Sequence, residues 1–296
     1  MLNVYEQIGR NKRRSAIIIA FFIIFVVSVG WIISQALNWG LWGVVLAFLL
    51  SGGGSLISYF HGDKIALAMA GAHPIDKNEE FTLYTVVENL SLVSRIPTPK
   101  IYVNNERAPN AFACGRDPQH ANICVTRGLL NTLNRTELEG VIGHEISHIK
   151  NFDTRLFAIV AILIGSISIL ANFFMRSLYW RDNDRNQGGG IFLILGIILS
   201  ILSPLIGQLI QLAISRRREF LADAGSAMIT RQPQGLINAL KKISQNTIPL
   251  HSANSATAHF YISNPFNIKG TVRGMAKLFN THPPIEKRVR ELEKMM

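Results

Sequence analysis

The sequence predicts an integral membrane protein of α+β class, mainly α, in which four transmembrane helices carry polar segments of ordinary soluble composition. Three observations predict it. Only 17% of the 296 residues are charged, where a soluble protein carries roughly 25%. The deficit is confined to four windows without a single charge: Ser15 to Leu37, Leu41 to Phe60, Leu156 to Met175, and Gly188 to Ser215. Outside them the charged fraction returns to about 24%, as in a soluble domain. That split excludes disorder, collagen-like repeats and a wholly soluble globule.

Each window is long enough to span, since about 20 apolar residues rising 1.5 Å each cross roughly 30 Å of hydrocarbon. The first span, about 15–37, is nearly solid in β-branched and aromatic residues, with Trp31 and Trp39 near its far interface. Its apolar run exceeds a signal-peptide core and no small-x-small cleavage site follows, so it stays as an anchor. The second, about 41–60, holds Gly52, Gly53 and Gly54 and is expected to pack that face on a neighbouring helix. The third and fourth, about 156–176 and 188–215, form a hairpin, and Pro204 predicts a kink. The chain thus divides into a membrane hairpin (1–60), a first polar segment (61–155), a second membrane hairpin (156–215) and a second polar segment (216–296).

Orientation follows from Lys and Arg at the helix ends. Lys12, Arg13 and Arg14 precede the first span, Lys64 follows the second, Lys150 and Arg155 precede the third, and Arg216, Arg217 and Arg218 follow the fourth. Residues 38–40 carry no such charge, and the three arginines of 176–187 are offset by Asp182 and Asp184. Both termini and both polar segments are therefore expected on the cytoplasmic side of the membrane. The net charge of +11 resolves into these flanks and a basic C-terminal segment that would lie against anionic lipid. Nucleic-acid binding is not expected, because Lys269 to Lys294 offers only Phe279 for stacking. Cys114 and Cys124, in a reducing compartment and at no usual zinc spacing, read as free thiols.

The chemistry is carried by TELEGVIGHEISHIKN. Thr136 and Glu139 make a capping box, which starts a helix running toward Asn151. His144 and His148 then share one helical face, one turn apart, so both imidazoles reach one zinc ion at about 2.1 Å. Glu145 stands beside the first ligand as a general base. A third ligand comes from RRREFLADAGSAMI, where Glu219 and Asp223 are one turn apart. Glu219 is assigned to the metal, and Asp223 as the acceptor that aims one imidazole. The bland alternative pairs Glu219 with Arg216 or Arg217 on a solvated helix. Two crossings between His148 and Glu219 weaken it, since an even number returns the chain to the side it left. Two histidines and a carboxylate suit one Zn²⁺ per chain better than copper or calcium. Such a zinc acidifies a water and polarises a carbonyl, while Glu145 moves the water's proton to the leaving amine. The reaction class is amide hydrolysis.

GHEISHI, a two-span hydrophobic hairpin, REFLADAGSA and THPPIEKRVREL, in that order and spacing, resemble the HtpX family of bacterial membrane zinc proteases, relatives of the type I CAAX prenyl proteases. The resemblance covers nearly the whole chain. It implies a gluzincin-type zinc metalloprotease domain on the cytoplasmic face of four transmembrane helices. It further implies endoproteolysis of misfolded membrane proteins in quality control under envelope stress, and self-cleavage on release from the bilayer. By the same resemblance, Asn110, Ala111 and Phe112 of NAFACG form an exposed edge strand above the zinc helix. Such a strand holds extended substrate by β-augmentation; AFACG and NICVT also read as a hairpin. His282 is placed to donate to the oxyanion of the tetrahedral intermediate, and Arg288 holds its segment to the zinc helices. Two alternatives stand beside this reading. A non-catalytic metal-binding scaffold would lack the base, and Glu145 is present; a prenyl-peptide processing protease would have about seven spans, where this chain has four candidates. The remaining histidines, His61, His73, His120, His251 and His259, read as surface or packing, and Ser244 to Gly270 as a long loop.

Overall fold

The computed structural model describes residues 41–159, 216–246, 248–250, 261–262 and 283–296, with short helical stretches before residue 32. The first long element is helix α1, Leu41–Met69, which continues past the end of the second expected span at Phe60. Among the described residues no helix is long and apolar enough to cross a membrane. The expected span 15–37 falls mostly outside the described residues. The spans 156–176 and 188–215 fall outside them from residue 160 onward.

A four-stranded sheet follows, from β1 (His73–Pro74), β2 (Lys100–Asn104), β3 (Ala111–Cys114) and β4 (Asn122–Thr126), in the order β1-β2-β4-β3. β2 and β4 run parallel, and β3 returns antiparallel on the outer side of β4. The β3–β4 connection is a 3₁₀ turn, Pro118–His120, whose entry Asp117 accepts a hydrogen bond from the His120 N–H. Helix α2, Phe81–Ser94, buries Leu83, Val86, Val87 and Leu90 on one stripe, the spacing of a helix packed on a core. After the short helix α3, Arg127–Thr132, comes α4, Arg135–Lys150.

The N-terminus of α4 differs from the expected one. Its cap is Asn134, whose side chain accepts from the Glu137 N–H, while the Glu137 carboxylate accepts from the Asn134 N–H. Thr136 and Glu139 lie inside the first turns. Both pairs satisfy the capping pattern, and the asparagine, two residues earlier, takes the turn first. The later helices are α5 (Arg216–Thr230), α6 (Pro233–Gln245) and α7 (Ile285–Glu293), so the expected loop from Ser244 begins after the end of α6. α4 is central, packed on α2, α5, α6 and β3. Its crossing with α6 is set by Gly140, where a Cβ would lie 2.5 Å from the Leu236 backbone nitrogen. The core is formed by this group of helices against the sheet, with Ile123, Val141, Ile142, Ile146, Leu236 and Leu240 fully enclosed.

Candidate metal centre

α4 is buried along almost its entire length, yet it carries His144, Glu145 and His148 in its second half. Burying such groups is costly unless partners surround them, and α5 supplies the partners. The two helices approach closely because their contact is made of small residues. A Cβ on Gly225 would meet the Ser147 Oγ at 2.3 Å, and the Ser226 hydroxyl donates to the Gly140 carbonyl at 2.6 Å. That approach carries Glu219 and Asp223 against the histidines.

The His144 and His148 Nε2 atoms lie 3.1 Å apart, and they stand 3.7 and 3.5 Å from the two Glu219 carboxylate oxygens. One ligand atom from each residue falls within 4.8 Å of the others. A tetrahedral ion with bonds of about 2.0–2.1 Å holds its ligand atoms about 3.4 Å apart, a value that the three separations bracket. Behind the rings, His144 Nδ1 is 3.0 Å from an Asp223 oxygen and His148 Nδ1 is 3.0 Å from an Asp153 oxygen. Carboxylates only accept, so on each neutral ring Nδ1 carries the proton and Nε2 turns its lone pair to the common point. Arg288, fully buried, closes the outer layer with Nε and Nη2 donating to the two Asp223 oxygens at 2.9 and 2.6 Å. Arg218 Nε lies 3.9 Å from Asp153.

Charge balance agrees with the geometry. Four buried carboxylates, Glu145, Asp153, Glu219 and Asp223, meet two buried guanidiniums, Arg218 and Arg288. Among the described residues two positive charges are wanting, and a dication would supply them. In the protein alone, protons fill the gap. Burial, reinforced by the Glu219 charge, pushes the Glu145 carboxyl up to about 7. For His148 burial works downward, but the Asp153 hydrogen bond and the surrounding carboxylates outweigh it and raise the ring to about 9. Burial, together with the Arg288 and His148 charges, lowers His144 to about 4 against the pull of Asp223. Burial would raise Asp223, but Arg288 and the hydrogen bonds overcome it and hold that carboxyl low. A dication would displace the His148 proton and draw Glu145 back toward its ionised form. The donor set fits zinc: two imidazoles and one carboxylate are three protein ligands, the number found in zinc sites that keep a fourth position for water.

The structure therefore brings His144, Glu145, His148, Glu219, Asp223 and Arg288 into one cluster, while His282 lies outside the described residues. Two further participants carry no motif in the sequence. Asp153 follows α4 across a turn in which Phe152 takes a left-handed φ of 59°. The pair Tyr261–Ile262 bears on the expected substrate strand. Asn110, Ala111 and Phe112 do lie at the edge of the sheet, but they are buried rather than exposed. The Ile262 N–H donates to the Ala111 carbonyl at 3.1 Å, and the Tyr261 ring packs edge-on to Phe112 at 5.2 Å. The Ala113 N–H donates to the Glu145 carboxylate. Cys114 and Cys124 are buried free thiols, and burial raises both.

Residues 77–296 match peptidase family M48. The chain belongs to that family. The M48 chain is 45% identical over 298 residues to a protein named protease HtpX homolog from Caldanaerobacter subterraneus, with 99% of this chain and 98% of that one aligned. Likewise named proteins from Dictyoglomus thermophilum and Lactobacillus helveticus are 45% and 39% identical, covering 98% and 99% of this chain and 94% and 100% of their own lengths. Among solved structures, the crystal structure of S. mikatae Ste24p aligns at a TM-score of 0.48 and 18% identity, covering 99% of this chain and 66% of that one, too distant to bear on the site. As an M48 peptidase the chain is a metalloprotease, and the cluster on α4 and α5 is its candidate metal site.

Proposed function

We propose that this M48 peptidase is a zinc-dependent endopeptidase of the cytoplasmic membrane that cleaves misfolded membrane proteins in quality control under stress. The observation that carries the zinc reading is the convergence of two imidazole Nε2 atoms and one carboxylate, each imidazole backed by its own aspartate. A zinc held by His144, His148 and Glu219 would polarise the scissile carbonyl and acidify water. Glu145, buried beside His144 and drawn toward its ionised form by a bound dication, is placed to take a proton from the attacking water and return it to the leaving amine. Asp223 and Asp153 hold the two imidazoles in register, and Arg288 keeps Asp223 ionised. His282 is proposed to donate to the developing oxyanion, and β3 to align the substrate backbone.

The membrane part of the reading rests on the uncharged windows and their basic flanks, and on the surface of α1. Leu41, Trp42, Phe48 and Leu49 are more than half exposed there among the described residues, a patch suited to lipid. The deciding experiment uses the full chain reconstituted with a membrane-protein substrate, comparing wild type with Glu145→Gln. The variant is expected to keep one zinc per chain and to lose about 10²- to 10⁴-fold in rate. Wild-type cleavage with zinc retained would overturn the mechanism.

A further inference from the structure

A cavity of about 330 Å³ opens where residues 59–64 of α1 meet the β3–β4 turn and the helical residues 153–159. Its volume lies in the range of small-ligand sites, roughly 300–1,000 Å³. Its lining carries Lys64, Lys100, Arg116 and Arg155 against one carboxylate, Asp63. Arg155 is half-buried and donates to the Tyr59 hydroxyl and the Arg116 carbonyl, both at 2.9 Å. No carboxylate pairs with it among the described residues. Lys64 and Lys100 stand exposed at the rim, likewise without an ion-pair partner among those residues. Arg116 is partly neutralised by Asp117 at 3.5 Å and lies over the Phe60 ring. The walls between these cations are apolar and aromatic, from Tyr59, Phe60 and Ile159.

The placement of this cavity along the chain is as informative as its charge. Tyr59 and Phe60 end the uncharged window 41–60, and Arg155 immediately precedes the uncharged window that begins at Leu156. If both windows span, the cavity sits at headgroup depth on the side where Lys and Arg collect. Basic pockets between membrane helices at that depth suit anionic phospholipid, and a planar guanidinium held in place suits a phosphate oxygen pair. The geometry points to a binding site for the phosphate of an anionic phospholipid headgroup, with Arg155 at its base, Lys64 and Lys100 at its rim, and Tyr59 and Phe60 against the glycerol and upper acyl chain.

This inference rests on the membrane placement proposed above. The test uses the full chain in neutral detergent and, separately, in vesicle flotation, with wild type and Lys64→Gln/Lys100→Gln. Binding is read by native mass spectrometry and thermal shift with phosphatidylglycerol, phosphatidylcholine or inorganic phosphate. Wild type is expected to retain phosphatidylglycerol in preference to phosphatidylcholine. The double variant is expected to lose about five-fold in affinity per lysine while still floating and still cleaving an unfolded soluble polypeptide. Equal retention of phosphatidylcholine, unchanged binding in the double variant, or a shift given by inorganic phosphate but not by phosphatidylglycerol would overturn the lipid site. Failure to float with any vesicle would remove the membrane placement and the lipid ligand together; flotation with unchanged binding in the variant would remove the site alone.

Discussion

Replacing Arg288 with methionine keeps most of the side chain's buried stem and removes only its charge and donors. In the native protein that guanidinium is fully buried, makes two short bonds to Asp223, and donates to the Ile262 carbonyl at 3.2 Å. Its loss strands a buried carboxylate, which costs about 3–5 kcal/mol, a large share of the roughly 5–15 kcal/mol that holds a domain folded. At about 2–4 °C per kcal/mol for a domain of this size, the melting temperature should fall by roughly 6–20 °C. The Asp223→Leu/Arg288→Met double variant strands neither charge, so it should recover most of that stability. It should not recover metal binding. His144 has lost the acceptor on Nδ1, and zinc affinity should stay about 10- to 100-fold weaker than wild type. The measurements are tryptophan-fluorescence melting of the zinc-loaded and chelated full chain in detergent, with zinc competition against a chelating dye. Melting of the single variant within about 2 °C of wild type, or a double variant as unstable as both singles added together, would refute the argument that Asp223 and Arg288 compensate one another.

Asp153→Asn should weaken zinc binding by about 10- to 100-fold, because His148 loses the carboxylate that aims it; dye competition reads this directly, and unchanged affinity would show that His148 is aimed by other groups. Chelation of the wild-type chain should lower its melting temperature, since a ligand bound only by the folded state stabilises that state. An identical melting curve with and without chelator would mean that the cluster holds no metal in the folded protein. Ile262→Pro removes the N–H that now donates to the Ala111 carbonyl. If β3 receives substrate, KM for an extended peptide should fall a few-fold with kcat unchanged, and an unaltered KM would argue against β3 in that role.

What the sequence made legible was whatever depends on local spacing. His144, Glu145 and His148 lie within two turns of one helix, so their shared face follows from 3.6 residues per turn. Glu219 lies 71 residues beyond His148, and the even count of apolar windows between them, together with the REFLADAGSA motif of the resembled family, suggested that they meet. Asp153 was not legible. It reaches His148 because the chain turns after α4 through the left-handed Phe152, and a phenylalanine gives no hint of positive φ. The parallel pairing of β2 with β4 was hidden for a similar reason, since β3 lies between them in sequence and outside them in the sheet. Tyr261 and Ile262 sit in a stretch whose serines and asparagines read as loop, and their burial is decided by the Phe112 ring and the Arg288 guanidinium, both distant in the chain.

The metal centre has a construction that explains why it needs both polar segments. Each histidine of α4 is backed by an aspartate and each aspartate by an arginine: His144 by Asp223 and Arg288, His148 by Asp153 and Arg218. The beginning of α5 contributes three of these parts within six residues. Arg218 reaches Asp153, Glu219 faces both Nε2 atoms, and Asp223, one turn on, reaches His144. Sliding α5 by one residue relative to α4 rotates it by about 100° and removes all three at once. The register is fixed where Gly225 meets Ser147 and Ser226 meets Gly140, positions too tight for a larger side chain. Residues 216–223 thus complete the cluster only where they arrive against residues 144–153, at that one register.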